Sequence, residues 1–269
     1  MDILALDIGN SRTTAAWVSR RDVLCMDAID GYAAPALRRL LRTIARDGAR
    51  SAPPRAIALC SVVPARTAKV AAVAAELFPG VPQLRTGWDS VLGIPVDLAA
   101  PAQTGADRYA DAVAAAALYP RAAVIVCDFG TASTFNLVLP DKGFCGGAIA
   151  PGYAMWLQAL GRGTAQLPTG AADALATGEK GDPGIGRDTA GALRAGRSWG
   201  FRGMVTEIIW QLSKRCGRRN PVIMATGGWA HAVSASAGFA MDVVPDLTLL
   251  GTALIAERSL KQASSPRPR

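Results

Sequence analysis

A pattern of buried strand, aspartate, glycine turn and hydroxyl-rich strand occurs twice in this chain, once in each half. The segment Ala122–Leu139 reads AAVIVCDFGTASTFNLVL, and the segment Ile3–Val18 reads ILALDIGNSRTTAAWV. Aligning Asp128 on Asp7 gives an offset of 121 residues in a chain of 269. A repeat of this length indicates a duplication, so we expect two similar lobes, each containing one such hairpin.

Each hairpin has the chemistry of a phosphate-binding turn. Gly9 and Gly130 allow the backbone to turn and to approach a ligand closely, while backbone N–H groups and hydroxyls can donate to phosphate oxygens. The carboxylates of Asp7 and Asp128 can hold a cation. A single copy is better explained by a structural Asx turn. Two copies at matching places favour a nucleotide lying between the lobes, although neither contains a Walker or a Rossmann motif.

Composition indicates a globular protein with a modest positive charge. Half of the residues are apolar, and the 29 Lys and Arg residues exceed the 21 Asp and Glu residues. Part of the excess lies in the Ser/Pro-rich end 259–269, which we expect to be a disordered basic tail. Another part, the arginines at 38, 39, 42 and 46, lies opposite the apolar stripe of one helix, as expected for a solvated face. The few aromatic residues are not interleaved with these clusters, which disfavours nucleic acid as a partner.

The cysteines and the apolar runs predict the compartment. Five cysteines are scattered and never occur in C-x-x-C spacing, which favours reduced thiols in the cytoplasm over a disulfide framework or a zinc site. No signal-peptide pattern precedes Asp2 or Asp7. The uncharged run Gly143–Gly161 contains Gly and Pro residues that make it a poor membrane-spanning helix. We therefore expect a soluble cytoplasmic protein without a membrane partner.

Hydrophobic periodicity predicts the secondary structure of both lobes. After the first hairpin we expect strand Asp22–Ile29, helix Ala34–Asp47, strand Arg55–Ser61, helix Ala65–Leu77 and strand Val81–Arg85. After the second we expect strand Gly143–Ala150, helix Tyr153–Leu160, a long substrate-covering loop Gly161–Gly186, helix Asp188–Leu212 and strand Pro221–Thr226. This order predicts an α/β fold of two ribonuclease H-like lobes, at 1–118 and 119–258, each a mixed sheet with flanking helices.

The helix predicted over Gly105–Tyr119 connects the lobes and begins with an unusual pair. Asp107 and Arg108 both fall in its first turn. The helix dipole favours a carboxylate there, which is a sufficient structural reason for Asp107. The same dipole disfavours Arg108, and this mismatch points to an anionic partner. The pair is therefore a candidate binding site, with a purely structural role for Asp107 left open.

Six motifs occur in order along the chain: DIGNSRT (Asp7–Thr13), GADR (Gly105–Arg108), DFGTAST (Asp128–Thr134), GGAIAPG (Gly146–Gly152), GRDT (Gly186–Thr189) and TGG (Thr226–Gly228). Together they resemble the motifs of the type III pantothenate kinases, within the superfamily of acetate and sugar kinases, heat-shock chaperones and actin. The resemblance runs from Met1 to about Arg258 and implies an enzyme that phosphorylates pantothenate with ATP, giving 4′-phosphopantothenate in the first step of coenzyme A biosynthesis.

The resemblance also implies roles for individual residues. Asp107 would be the general base on the 4′-hydroxyl, Asp7 would lie near Mg²⁺, and Asp128 would hold a monovalent cation, K⁺ or NH₄⁺. Pantothenate would be bound by Gly105, Ala106, Asp107 and Arg108, and by Thr189 across the interface of a homodimer. ATP would be bound by Asp7, Ile8, Gly9, Asn10, Ser11, Arg12, Thr13 and Thr14, and by Thr131.

Two positions depart from the family pattern. Leu98 stands where the family often has a tyrosine, and Asn136 stands where it often has an aspartate. Other readings of the scaffold are another small-molecule kinase, a phosphohydrolase, or a non-catalytic nucleotide-binding regulator. The GADR motif favours a kinase, because a regulator has no need of it.

Overall fold

The computed structural model describes residues 1–49, 52–156, 184–217 and 220–264. Its first sheet comprises β1 (Asp2–Ile8), β2 (Arg12–Ser19), β3 (Asp22–Asp30), β4 (Ala56–Ser61) and β5 (Gln83–Arg85). The strands lie in the order β3-β2-β1-β4-β5. Strand β2 runs antiparallel to β1 and β3, whereas β4 runs parallel to β1 and β5. The sheet is therefore mixed, as predicted.

The second sheet repeats this arrangement. It comprises β6 (Val124–Phe129), β7 (Ala132–Leu139), β8 (Gly143–Pro151), β9 (Val222–Thr226) and β10 (Asp242–Val243). Its order is β10-β9-β6-β7-β8, with β9 parallel to β6 and β10. Strands β6 to β10 thus take the same places as β1 to β5, so the topology confirms the duplication that the repeated hairpin predicts.

The helices flank these sheets. They are α1 (Ala34–Gly48), α2 (Pro64–Leu77), α3 (Ala106–Leu118), α4 (Thr189–Ser213), α5 (Ala230–Ser236) and α6 (Leu247–Ser264). Residues 153–156 are also helical, while the rest of the predicted helix Tyr153–Leu160 lies outside the described residues, as does the predicted loop up to residue 183. Among the described helices, none has the length and apolar character needed to cross a membrane.

Alternation along β1 directs its side chains to two different faces. Leu4, Leu6 and Ile8 are buried in a cluster with apolar residues of α1 and α2. Asp7, which is out of phase with them, lies on the other face. There Cys60 of β4 forms a second buried cluster with Ala106 and Ala110 of α3. The first turn of α3 is therefore packed beside the end of β1.

The chain divides into two units in a way that differs from the predicted boundaries. The first unit takes Met1–Arg121, Val138–Cys145 and the chain from Asp246 onward, and the second takes the remainder. Helix α6 therefore belongs to the first unit, although residues up to 258 are predicted to lie in the second lobe. Residues 259–264, predicted to lie in the tail, form the end of this helix, and 265–269 lie outside the described residues.

Close packing of α6 on α3 explains this difference. A Cβ added at Gly251 would lie 1.9 Å from the carbonyl oxygen of Ala110, so the glycine allows the two helix backbones to touch. Thr252, Ala253 and Leu254 beside it are also buried. The alanine-rich face of α3 is thus used for close helix packing within the first unit.

Candidate active site

The carboxyl ends of β1 and β4 bring the first candidate residues together. In the parallel register Asp7 lies opposite Cys60, and Ile8 lies opposite Ser61. Burial, followed by the negative charge of Asp107, raises the pKa of Asp7 to about 7. Asp7 and Asp107, one hundred positions apart in the chain, therefore lie close enough within the first unit for the charge of Asp107 to affect the pKa of Asp7. The structure joins the predicted ATP hairpin and the predicted catalytic base at this point.

Asp107 is held by the backbone of its own helical turn. Its Oδ1 accepts a hydrogen bond from the Arg108 N–H at 2.8 Å. Burial raises the pKa of Asp107, while the Arg108 N–H and the Arg108 charge oppose that rise. A Cβ added at Gly105 would lie 2.5 Å from the same oxygen, so the carboxylate occupies space that only a glycine leaves open. The position of this carboxylate thus explains the glycine at the start of the GADR motif.

Arg108 is half-buried at the start of α3, where the helix dipole disfavours a cation. Its guanidinium lies over the ring of Phe144, 5.5 Å from the centroid. Burial lowers the pKa of Arg108, and the charges of Asp107 and Asp111 act in the opposite direction. An aromatic face and two carboxylates therefore stabilise the cation in its unfavourable place.

The first hairpin separates its residues into an inner and an outer set. Ile8 and Thr13 are fully buried, and the Thr13 hydroxyl donates to the Gly31 carbonyl at 2.6 Å. Their side chains therefore belong to the fold, and any contact of theirs with ATP would come from the backbone. Asn10, Ser11 and Arg12 are exposed at the turn. These three side chains are open to a ligand, and that of Thr14 is half-buried.

The turn itself is closed by backbone and by a cation from α2. The Gly9 N–H donates to the Arg12 carbonyl at 2.9 Å. Nη1 of Arg66 donates to the Gly9 carbonyl at 2.9 Å and also to the Asn10 carbonyl. The Arg66 guanidinium lies 4.9 Å from the centroid of the Tyr32 ring. Sequence reasoning missed Arg66, because nothing local to α2 shows that it reaches the hairpin.

The second hairpin has matching geometry in the second unit. The Gly130 N–H donates to the Ala132 carbonyl at 3.1 Å, and Asp128 lies opposite Thr226 of β9. Gly227 has φ +87°, and a Cβ there would lie 2.3 Å from Oδ1 of Asp128. A Cβ on Gly152 would similarly lie 2.1 Å from the carbonyl oxygen of Thr131. The glycines of the GGAIAPG and TGG motifs thus let backbone enclose the oxygen-rich turn.

The two departures from the family pattern lie in different surroundings. Leu98 is half-buried in the segment that precedes α3. Asn136 is fully buried in β7, and its Nδ2 lies 3.5 Å from the Thr134 hydroxyl, a bond at the long limit. Asn136 is thus enclosed within the second sheet.

Asp111 is a buried residue of this site that the sequence reading did not select. It lies one turn after Asp107 on α3 and is fully buried. Its Oδ1 accepts a hydrogen bond from the Thr248 hydroxyl of α6 at 2.7 Å. The i, i+4 spacing from Asp107 was a usable signal. Thr248, 137 residues away, could not be identified without the fold.

Cys60 lies among these carboxylates but is not a nucleophile. Burial, together with the charges of Asp7, Asp107 and Asp111, raises the pKa of its thiol well above the ordinary value. A thiol is reactive as its thiolate, which this environment strongly disfavours. Cys60 therefore acts as a small apolar residue beneath the site.

Of the residues predicted to bind pantothenate, Thr189 lies in the second unit. It is the exposed first residue of α4 in the second unit, whereas the GADR motif belongs to the first. Asp188 caps this helix by accepting a hydrogen bond from the Gly191 N–H at 2.6 Å. Within the second unit, the GRDT motif is thus explained as the sequence that begins and caps α4.

The carboxylates present do not form a ready-made metal cage. Across the described parts of the chain, no three His, Cys, Asp or Glu side chains converge as metal ligands. Mg²⁺ at nucleotide sites is usually held by one or two carboxylates together with phosphate oxygens and water. A lone Asp7 at the end of β1 fits that donor set.

The arginines of α1 form a surface groove away from this site. Arg38, Arg39, Arg42 and Arg46 line it together with Pro35 and Thr43. Arg38 forms an ion pair with Glu76 and Arg46 forms one with Asp47, each at 2.7 Å. These exposed pairs are typical of a solvated helix face, as expected from the sequence.

Sequence relatives identify the family. A family model described as type III pantothenate kinase matches residues 3–211. The type III pantothenate kinase of Akkermansia muciniphila is 40% identical over 200 residues, covering 71% of this chain and 79% of the relative. That of Rhodospirillum centenum is 37% identical over 205 residues, covering 75% of this chain and 76% of the relative.

A solved structure shows the same fold at low sequence identity. The activator of the 2-hydroxyisocaproyl-CoA dehydratase from Clostridium difficile, with bound ADPNP, has a TM-score of 0.56 at 11% identity and covers the whole of both chains. This likeness concerns the fold alone. The family model, by contrast, spans well over half of the chain and includes the GADR motif and both hairpins. The chain therefore belongs to the type III pantothenate kinase family.

Proposed function

We propose that this protein transfers the γ-phosphoryl group of ATP to the 4′-hydroxyl of pantothenate, the first step of coenzyme A biosynthesis. Membership of the type III pantothenate kinase family supports this reaction. The observation that supports the proposal is the packing of the start of α3 against the end of β4, because Cys60 there lies opposite Asp7 and in one buried cluster with Ala106, the neighbour of Asp107. It joins a nucleotide hairpin to a carboxylate suited to an acceptor alcohol.

Asp107 acts as the general base in this proposal. Phosphoryl transfer requires positioning and charge neutralisation more than covalent chemistry, so a carboxylate that accepts the hydroxyl proton late in the transfer suffices. Oδ1 is fixed by the Arg108 N–H, and we assign the substrate proton to Oδ2. The raised pKa of Asp107 makes it a better proton acceptor than an exposed aspartate.

Arg108 binds the carboxylate of pantothenate in this proposal. The substrate is an acid, and a guanidinium is the side chain best suited to recognise a carboxylate. Gly105 and Ala106 contribute through the backbone at the start of α3, with Gly105 leaving room for Asp107. The first turn of α3 thus presents a base and a cation to the two ends of one substrate.

ATP is bound by the first hairpin through backbone N–H groups and the exposed side chains of Asn10, Ser11 and Arg12. Asp7 is placed to hold Mg²⁺ at the end of β1. The bound ion supplies charge neutralisation for the phosphates. Thr131 of the second hairpin is proposed as a further ATP contact.

Asp128 holds a monovalent cation, K⁺ or NH₄⁺, in this proposal. The carbonyl oxygens near Gly152 and the carboxylate near Gly227 are suitable ligands for such an ion. Activity should therefore rise when Na⁺ is replaced by K⁺ or NH₄⁺, and Asp128→Ala should remove that dependence together with most activity. A wild-type enzyme equally active with Na⁺ alone would contradict this assignment.

The enzyme is proposed to be a cytoplasmic homodimer that uses α4. An exposed stripe of small and apolar residues runs along this helix at spacings of three and four: Ala192, Gly196, Trp199, Gly203, Thr206 and Trp210. A Cβ added at Gly196 or Gly203 would meet nothing within 4 Å. Thr189, which begins the same helix, is proposed to reach the pantothenate site of the partner protomer.

The reaction is tested with purified protein, ATP, Mg²⁺ and K⁺, supplied with pantothenate, a panel of sugars, or no acceptor. We expect stoichiometric ADP and 4′-phosphopantothenate with pantothenate alone. Phosphorylation of a sugar would favour another small-molecule kinase, and ADP formed without an acceptor would favour a phosphohydrolase. Nucleotide binding without turnover on any acceptor would favour a regulator.

A further inference from the structure

Phe144 connects the parts of the proposed acceptor site through its side chain. The residue is fully buried at the start of β8, within the first unit. Its ring meets the Tyr109 ring edge-on, with centroids 5.7 Å apart and an interplanar angle of 87°. The face of the same ring lies under the Arg108 guanidinium at 5.5 Å. One ring thus touches two consecutive residues of the first turn of α3.

The backbone of Phe144 holds the segment that precedes α3. Its N–H donates to the Pro95 carbonyl at 3.0 Å, and its carbonyl accepts from the Asp97 N–H at 2.9 Å. These bonds enclose Val96, which forms a parallel bridge with Phe144. Leu98, at the departure from the family pattern, follows directly. The Tyr109 hydroxyl then donates to the Pro101 carbonyl at 2.9 Å, so the segment is tied at both ends to the same aromatic pair.

Of the two residues that the Phe144 ring contacts, Arg108 depends more on being held in position. An arginine side chain loses considerable rotamer entropy when it is fixed, and the helix dipole also opposes a cation at this place. The face of an aromatic ring attracts a guanidinium, most strongly where both are withdrawn from water. Phe144 is fully buried and Arg108 is half-buried, so this contact is the kind that can hold the cation before substrate arrives.

We propose that Phe144 is a positioning residue for substrate recognition: its ring holds the Arg108 guanidinium ready for the carboxylate of the acceptor and so favours acceptor alcohols that bear an acid. The inference rests on the proposed function, because it assigns the acceptor carboxylate to Arg108. It predicts an effect confined to acidic acceptors. Packing alone would give no such selectivity.

Fluorination of the ring separates its electrostatic role from its shape. A 3,4,5-trifluorophenylalanine at position 144 keeps the ring nearly the same size but withdraws negative charge from its face. We expect KM for pantothenate to rise roughly 3- to 10-fold, in line with the loss of a partly buried cation–π contact. We expect kcat and KM for ATP to stay within about twofold, because the ring acts through its contacts with Arg108 and Tyr109 rather than through the base or the hairpin.

A neutral acceptor provides the decisive comparison. An amide of pantothenate keeps the 4′-hydroxyl but lacks the carboxylate, so its KM should not respond to fluorination at 144. The matched control places the same residue at Phe135, an equally buried ring in the second unit whose recorded ring contact is with Phe129. Phe135 fluorination should leave the ratio of KM values for acid and amide unchanged.

Phe144→Leu adds a genetic test that needs no unnatural residue. It should raise KM for pantothenate at least as much as fluorination does, with a lower melting temperature because the core contact with Tyr109 is lost. Equal increases in KM for the acid and the amide, or unchanged KM for both in the fluorinated enzyme, would overturn the positioning role. A wild-type protein that phosphorylates no pantothenate would instead overturn the proposed function.

Discussion

Asp7, at the end of β1, and Asp107, at the start of α3, lie in environments that affect the charge of their carboxylates differently. Asp7 lies in a buried setting beside a second carboxylate, and its pKa reaches about 7. Asp107 is also raised by burial, but the Arg108 N–H and charge oppose that rise. Asp7 is therefore only partly ionised near neutral pH, whereas Asp107 has a counter-charge in the adjacent Arg108.

Asp107→Asn should lower kcat by roughly 10²–10⁴, the usual contribution of a positioned base. The amide keeps the shape of the side chain, so binding of ATP and pantothenate should persist. Steady-state kinetics with calorimetric binding test this directly. Asp22→Asn, an exposed position at the start of β3, is the matched control and should leave kcat unchanged. An Asp107→Asn enzyme with wild-type turnover would remove this residue from the mechanism.

The raised pKa of Asp7 predicts how stability depends on pH in the metal-free protein. The folded-state value of about 7 exceeds the ordinary value of 3.8, so the native state binds more protons between them. The free energy of unfolding should therefore fall as pH rises from about 4 to about 7, by roughly 4 kcal/mol from this group.

Asp7→Asn should remove that fall, because the amide does not titrate. The variant should be more stable than the wild type at pH 8 and should bind Mg²⁺-ATP poorly. Denaturant unfolding of both proteins at pH 5 and pH 8, without metal or nucleotide, gives the comparison. Parallel pH profiles for the two proteins would show that Asp7 is not the titrating group.

At the scale of elements, the first hairpin is stabilised by α2 as well as by its own turn. Nη1 of Arg66 donates to the carbonyls of Gly9 and Asn10. Its guanidinium also adds positive charge where ATP phosphates are proposed to lie. Helix α2 is therefore part of the proposed nucleotide site, although its residues match no phosphate-binding motif.

Arg66→Gln should raise KM for ATP roughly tenfold, the scale of one or two hydrogen bonds made by a charged donor. KM for pantothenate should change little. Lys69→Gln is the matched control, because Lys69 faces the same Tyr32 ring at 5.1 Å and is exposed. Equal effects of the two substitutions would indicate a general loss of charge near the hairpin and would contradict a specific role for Arg66.

Elements with a one-sided apolar pattern could be predicted from the sequence, and α6 could not. In α1 the buried residues Leu37, Leu40, Leu41 and Ile44 recur at helical spacing and define one face. In α6 the buried residues are nearly continuous from Leu249 to Ala256, because the helix is covered on more than one side. Such a run lacks the periodic signal. Its partner α3 is more than a hundred residues away, so its placement required the fold.

The candidate site shows the same division. The hairpins and GADR are local patterns, and the sequence identified them with their carboxylates. Asp111, Arg66 and Phe144 act through contacts that cross from one element to another, and no spacing along the chain reveals such contacts. The inward orientation of Thr13 was also hidden, because its acceptor, the Gly31 carbonyl, lies beyond the following strand.

At the scale of the whole molecule, the dimer proposal rests on α4. Gly196→Trp should yield monomers that still bind ATP but have lost affinity for pantothenate, because Thr189 of the partner would no longer reach the site. Sedimentation and calorimetry measure both properties. Arg39→Trp, on the exposed face of α1, is the control and should stay dimeric. A fully active Gly196→Trp monomer would contradict a shared site.

Mixing two inactive variants tests the same proposal by asking whether activity is recovered. Asp107→Asn and Thr189→Arg should each be inactive alone. A mixed dimer would contain one site in which both residues are wild type, so part of the activity should return on mixing. No recovery in verified mixed dimers would show that each protomer completes its own site.

Because α6 belongs to the first unit, that unit cannot complete its folding early during synthesis. Helix α6 packs on α3, so the surface around Ala110 and Cys60 stays uncovered until α6 has left the ribosome. From Arg121 to Leu247 this delay is roughly 6 to 25 s at ordinary rates of synthesis. During that time the nascent first unit exposes apolar residues together with Cys60 and the carboxylates of Asp7, Asp107 and Asp111. Helix α6 therefore completes a unit that residues 1–121 begin, and that unit cannot mature before α6 has been made.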